Sequence, residues 1–290
     1  MKALILGASG QDGFYLTELC RAKGIEPIGI SRSGNNIRAN IADYRDVEQL
    51  IIAHRPDYVF HLAANSTTRH DALFENHDVI STGSVNLLEA VRRHAPMTRV
   101  FITGSGVQFV NRGIPISELD EFEASSPYSV ARIHSVYAAR YYRSLGIRTY
   151  VGYLFHHESS LRKPAHISQK IIQAAKRIAA GSKDLVELGD VSVQKEWTFA
   201  GDIVKGIFTL VGQDNVYECT IGSGVTHSIK DWLEQCFGLV GKSWQNHITI
   251  RQGFKAEYQI LVSNPATITS LGWQPKKSFD ELARLMMDAQ

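Results

Sequence analysis

Tyr128 and Arg132 have the most chemically specific spacing in this chain. They stand i, i+4 in Ser125-Ser-Pro-Tyr128-Ser-Val-Ala-Arg132. Proline is well placed to open a helix, so phenol and guanidinium share one helix face. Ser105 comes just after Arg99–Thr103, an apolar run that reads as a strand. That puts it at the carboxyl edge, where open α/β sheets bind ligands. A hydroxyl, a phenol and a cation meeting there can polarise a carbonyl and deliver a proton to it.

A second constellation opens the chain. Gly7-Ala-Ser-Gly10-Gln-Asp-Gly13 follows the run Lys2–Leu6 and precedes a helical pattern. The first glycine permits a tight turn, the second lets backbone N–H groups approach a pyrophosphate, and the third lets helix and strand pack closely. The spacing is GxxGxxG, and its position directly after an N-terminal strand makes it specific. The next strand ends at Ile30-Ser31-Arg32-Ser33, without the acidic residue that would hold a ribose 2′-hydroxyl. Arg32 suits a 2′-phosphate instead, so the expected cofactor is NADP(H).

These residues need a framework, and the composition allows one. The chain has 290 residues, 31 basic and 29 acidic side chains and a net charge of +2; 44 % of its residues are apolar. This is the balance of a soluble globular protein of about two domains. It leaves no basic surplus for nucleic acid. Cys20, Cys219 and Cys236 are too scattered for a disulfide framework or a metal site. No run reaches membrane-spanning length, and no leader pattern is present, so a cytoplasmic location is expected. His156-His157-Glu158 lacks the spacing of a metal site.

Strand and helix patterns alternate through the first half. Strands are expected at Lys2–Leu6, Pro27–Ser31, Tyr58–Leu62, Arg99–Thr103 and Arg148–Leu154, with helices including Tyr15–Lys23, Val79–His94 and Tyr128–Leu145 between them. Such alternation predicts a doubly wound parallel sheet of Rossmann-like α/β type. Beyond about residue 155 the pattern loosens, which suits a smaller interleaved α/β substrate lobe. The expected division is 1–153 with 197–222 for the dinucleotide domain, and 154–196 with 223–290 for the lobe.

The whole chain resembles the extended short-chain dehydrogenases/reductases that act on nucleotide sugars. It is most similar to the GDP-mannose 4,6-dehydratase and GDP-4-keto-6-deoxymannose reductase branch. The resemblance rests on Gly7–Gly13, His61-Leu-Ala-Ala64, Gly83-Ser-Val-Asn-Leu-Leu-Glu89 and Ser126-Pro-Tyr128. Later matches are Leu154-Phe-His-His-Glu-Ser159, Lys195-Glu-Trp197 with Gly201-Asp202, and Gly272-Trp-Gln-Pro275 with Phe279-Asp-Glu-Leu282. It implies catalytic roles for Tyr128, Arg132 and Ser105. Cofactor contacts would come from Gly7, Ser9, Gly10, Gln11, Asp12, Gly13, Arg32, Asn40, Leu62, Ala63 and Ala64, together with Tyr128 and Arg132. Substrate contacts would come from His156, Arg162, Lys170, Lys195, Lys255 and Glu257. A homodimer or homotetramer is implied, with Tyr137, Tyr141 and Tyr142 on a helix of the subunit contact.

Three departures shape the functional expectation. Arg132 replaces the family lysine; it keeps the charge but cannot pass on a proton. The dehydratase Thr-x-Glu set is missing from Thr103-Gly-Ser105-Gly-Val107-Gln108. One register places Val107 at the glutamate and Ser105 at the hydroxyl, and the other places Gln108 and Gly106 there. The first is preferred, and neither supplies a carboxylate. His156 and Lys195 replace the branch's asparagine and arginine. The resulting expectation is an NADPH-dependent reductase of a nucleotide-linked, GDP-type 4-keto-6-deoxy sugar. The rivals are an NADP-dependent 4,6-dehydratase or epimerase, and a non-catalytic nucleotide-sugar-binding paralogue.

Overall fold

The computed structural model describes residues 1–32 and 34–289. The N-terminal half runs β1 (Lys2–Leu6), α1 (Gln11–Ala22), β2 (Glu26–Ser31), β3 (Ile37–Arg38), α2 (Tyr44–His54), β4 (Tyr58–His61), α3 (Leu73–Asn76), α4 (Gly83–His94), β5 (Arg99–Ser105), α5 (Pro127–Ser144) and β6 (Thr149–Leu154). The rest runs β7 (His157–Glu158), α6 (Ile167–Ala179), β8 (Val186–Leu188), β9 (Gln194–Glu196), β10 (Thr198–Phe199), α7 (Ala200–Val211), β11 (Glu218–Ile221), β12 (Thr226–Ser228), α8 (Ile229–Gly238), β13 (Ile248–Ile250), β14 (Ile260–Leu261), α9 (Ala266–Ser270) and α10 (Phe279–Asp288).

The main sheet has seven strands in the order β11-β6-β5-β4-β1-β2-β3. Every pairing in it is parallel. Both faces are buried, so the strands are apolar throughout rather than alternating. Leu4 and Leu6 join a core beneath α2, α4 and α5. Ala3 and Ile5 face the opposite core, with α1 and α7. This is the doubly wound sheet the sequence predicts. Its order reverses between β1 and β4, which opens the ligand crevice at their carboxyl ends.

The expected helix Val79–His94 is one part of a longer helical run that begins at Leu73 and widens to a π-helical segment at His77–Thr82. A third apolar core lies under α6, α8 and α10, where Trp197 and Trp232 stack with ring centres 4.5 Å apart. Three small sheets accompany it: β12-β9-β14, β13-β8 and β10-β7. Ile268 and Trp273 pack on the main-sheet core instead. Residues 266–273 therefore serve the dinucleotide side, although they fall within the stretch 223–290 expected for the lobe. Among the described residues, no helix is long and apolar enough to cross a membrane.

Candidate active site

The glycine turn uses its residues for three separate reasons. Gly7 has φ +92° and donates its N–H to Ile30 O at 2.9 Å. A Cβ there would lie 2.8 Å from Ala63 N, and one at Gly13 would lie 2.4 Å from Gly7 O. Neither position has room for a side chain, while Gly10 is tight only against Gly7 O at 3.3 Å. A cavity of about 240 Å³ lies over this turn, lined by Gly7, Ser9, Gly10, Gln11, Asp12 and Gly13 with Arg162 and Lys163. The start of α1 faces it, where unpaired N–H groups and the helix dipole favour a phosphate.

A neighbouring cavity of about 590 Å³ is lined by Ser31, Arg32, Asn40, Leu62, Ala63, Ala64 and Glu75. These two volumes bring together the expected cofactor residues other than Tyr128 and Arg132, and they fit an extended dinucleotide. Asn36 was not anticipated from the sequence; its amide donates to Ser9 Oγ (3.0 Å) and Ser31 Oγ (3.3 Å) at the end of β2. Glu75 was missed as well. Its Oε1 accepts from Arg32 Nη2 at 2.8 Å and its Oε2 from Asn65 Nδ2 at 2.6 Å. Arg32 therefore already has an acidic partner, although β2 itself ends without one.

A third cavity, of about 190 Å³, is the candidate reaction chamber. Ser105, Val107, Tyr128, Arg132, His156, His157, Arg162 and Asp12 line it, together with Thr68 and Tyr258. The start of α5 holds Tyr128 in place through a reciprocal cap. Ser126 Oγ accepts from Ser129 N (3.1 Å), and Ser129 Oγ accepts from Ser126 N (2.8 Å). One turn later Arg132 is buried, with its guanidinium 5.0 Å from the Tyr128 ring centre. Its Nη1 donates to Thr103 O at 2.7 Å, which ties α5 to the end of β5.

The end of β5 places Ser105, and the turn after it Val107, in this lining. Gln108 is fully buried and turns back, its Oε1 accepting from Ser105 N at 2.8 Å. A Cβ on Gly106 would meet the Phe155 ring at 2.8 Å. Among the described residues lining the chamber, Asp12 supplies the one carboxylate. Its Oδ1 is 2.9 Å from His157 Nε2, while His157 Nδ1 lies 2.7 Å from Phe155 O. Both partners are acceptors, an arrangement that favours the imidazolium form of His157. Burial opposes that charge, but Asp12 outweighs it and raises the imidazole pKa. Burial likewise opposes the Asp12 charge, and His157 reverses the balance and lowers the carboxyl pKa.

The expected substrate residues divide. His156 and Arg162 line the chamber, and Glu257 lines an adjoining cavity of about 620 Å³, where it accepts from Thr68 Oγ1. Lys195 does not line the chamber. It is buried, with Nζ 4.7 Å from the Trp197 ring centre. Burial pushes its pKa down to about 8 against the opposing pull of Glu158. Lys170 also stands outside, because α6 turns Ile171, Ile172 and Ala175 into the third core and leaves Lys170 exposed. Lys255 is exposed on the irregular stretch before Glu257.

Behind His156 lies Glu158, fully buried, with Oε1 2.6 Å from His156 Nε2 and Oε2 3.5 Å from Arg162 Nε. None of these atoms has a well-aligned hydrogen-bond partner. Burial, then Lys195, pushes His156 down to about 3, so its ring is neutral. Among the described residues, no cluster of three His, Cys, Asp or Glu side chains could hold a metal ion.

The comparisons with known proteins agree with this architecture. The family model described as GDP-mannose 4,6 dehydratase matches residues 4–286. GDP-mannose 4,6 dehydratase 1 of Arabidopsis thaliana is 29 % identical over 319 residues, covering 99 % of this chain and 88 % of that protein. Among solved structures, a Thermus thermophilus UDP-glucose 4-epimerase in complex with NAD superposes with a TM-score of 0.84 at 20 % identity, covering 99 % of this chain and 98 % of that one. The RMD protein from Pseudomonas aeruginosa complexed with NADPH gives 0.83 at 20 % identity, covering 99 % and 96 %. A glycine turn at the sheet's switch point, a Ser-Tyr-Arg chamber beside it and a family match over nearly the full length lead to one assignment: the chain belongs to the GDP-mannose 4,6 dehydratase family.

Proposed function

We propose that this chain is a nicotinamide-dependent enzyme acting at C4 of a nucleotide-linked, GDP-type hexose, as a 4,6-dehydratase or epimerase. The observation that carries the reading is the chamber in which Ser105, Tyr128 and Arg132 converge beside the glycine turn. Relatives named as GDP-mannose 4,6 dehydratases, aligned along 99 % of the chain, favour this reading over the reductase expected from the motifs. A bound nicotinamide dinucleotide supplies the hydride acceptor and donor. Gly7, Gly10 and the start of α1 would hold its pyrophosphate, with Arg162 and Lys163 as nearby cations. Arg32 argues for NADP(H), and its pairing with Glu75 argues against it.

Tyr128 moves the proton at the sugar O4 as that oxygen changes between hydroxyl and carbonyl. Ser105 hydrogen-bonds the same oxygen. Arg132, fixed on Thr103 O, sets the tyrosine ring and supplies positive charge to the chamber. It cannot relay a proton. His156 and Arg162 face the sugar and its diphosphate. Tyr137 and Tyr141 are exposed on α5, which supports a homodimer through that helix; light scattering would test this.

One observation favours reduction of a 4-keto-6-deoxy sugar as a second reading. Val107 and Gln108 put no carboxylate into the chamber, and Asp12 is engaged by His157. Incubation with GDP-mannose, and separately with a GDP-4-keto-6-deoxyhexose plus reduced cofactor, separates the readings. Loss of one water, or an altered sugar configuration, without net nicotinamide change supports the dehydratase or epimerase. Stoichiometric loss of nicotinamide absorbance supports the reductase, and no reaction in either case supports a non-catalytic paralogue.

A further inference from the structure

The geometry points to Glu75 as the residue that selects the cofactor, making the site one that prefers NAD(H) to NADP(H). The inference rests on the nicotinamide reading above. It concerns a carboxylate that arrives from α3, more than forty residues along the chain from the strand end where such an acid usually stands.

Glu75 lines the same cavity as Ser31, Arg32 and Asn40. Both of its oxygens are committed, Oε1 to Arg32 at 2.8 Å and Oε2 to Asn65 at 2.6 Å. Asn65 donates through its amide nitrogen and so holds the carboxylate in place beside Arg32. The Arg32 bond, then that of Asn65, lowers the Glu75 pKa accordingly. The guanidinium at the end of β2 is therefore half of an ion pair.

A 2′-phosphate carries close to two negative charges. To bind Arg32 it must break the pair and then sit beside the released carboxylate. A ribose hydroxyl has the opposite relation to Glu75, because it donates a hydrogen bond to it without displacing Arg32. The Arg32 side chain is 70 % exposed and can swing away, which leaves NADP(H) a weaker route rather than a closed one. Lys163 and Asp78 also line the cavity, and the Lys163 charge helps to lower the Glu75 pKa.

The test is direct titration of NADH and NADPH by fluorescence against the purified full-length chain, E75Q and R32A. The wild type is expected to bind NADH about tenfold more tightly than NADPH. E75Q should shift the ratio of the two dissociation constants toward NADPH by about tenfold or more, because the amide no longer repels phosphate and Arg32 is released. R32A should weaken NADPH more than NADH, moving the ratio of the two dissociation constants further toward NADH. An exposed pair contributes little to stability, so E75Q should melt within about 1 °C of wild type; if it does not fold, the wild-type ratio of the two dissociation constants decides alone. A wild type that prefers NADPH, or a ratio unchanged in E75Q, overturns the proposal. Absence of binding by both cofactors would overturn the nicotinamide reading instead.

Discussion

The two sides of the reaction chamber are built differently. On the cofactor side, geometry follows from the backbone of one short segment. Gly7 and Gly13 are glycines because no Cβ fits, and the turn they form aims α1 at the crevice. On the substrate side, each side chain depends on partners far away in sequence. Asp12 holds His157, Ser159 Oγ donates to Gln11 Oε1 at 2.8 Å, and Glu158 sits between His156 and Arg162. The first kind of site leaves no room for a side chain at Gly7 or Gly13. The second is a network of buried charge with imperfectly aligned members.

Four substitutions would break or sharpen that contrast. Tyr128→Phe should have the largest effect, because it removes the proposed proton donor while keeping the ring over Arg132. Turnover should fall by roughly 10²–10⁴, with cofactor dissociation constants unchanged by titration. A turnover within about threefold of wild type would remove Tyr128 from the chemistry.

Gly13→Ala comes next. Its methyl would lie 2.4 Å from Gly7 O, so a loss of about 1–3 kcal/mol in denaturant unfolding is expected, together with weaker cofactor binding. An alanine tolerated with unchanged affinity would contradict the rigid-turn picture.

Arg132→Lys restores the family's residue type. The shorter ammonium side chain cannot keep the fork geometry that reaches Thr103 O. We expect turnover about tenfold lower and a drop in melting temperature of a few degrees. A gain in turnover would say instead that arginine marks a lapsed site.

His157→Gln comes last, with an expected loss of about 1 kcal/mol that depends on pH. The folded-state His157 pKa is raised, so its contribution is fully present below the unfolded value near 6.5 and disappears as pH rises through the folded value. The Asp12 pKa is lowered, so its share is lost as pH falls through the carboxylate range. Wild type should exceed H157Q in melting temperature by most near pH 5–6, with the gap closing toward alkaline pH. A gap independent of pH would show that the ring acts by packing alone.

Much of this was legible in the chain, and for physical reasons. The glycine spacing, the helix-opening Ser-Pro before Tyr128 and the apolar strand runs are local signals, and the structure puts strands and helices within a few residues of where those signals place them. Arg132 joins Tyr128 because i, i+4 geometry leaves no choice. Charged residues of the second lobe were harder to read. Lys195 looks from its motif like a phosphate ligand, yet it is packed against Trp197 and buried. Lys170 has the right charge, but α6 turns it to solvent. A lysine carries no sign in its immediate neighbours of which way its helix or strand will face.

The sequence by itself determined the sheet, the dinucleotide turn and the Ser105, Tyr128 and Arg132 set, because each depends on backbone conformation or helical periodicity within a few residues. Only the tertiary structure decided what those groups meet. It brought Glu75 to Arg32 and His157 to Asp12, contacts that span 43 and 145 positions. It also turned Gln108 inward and left Val107 in the chamber. Ion pairs and cavity linings are set by where separate elements cross, and the crossing is a property of the packed sheet and helices.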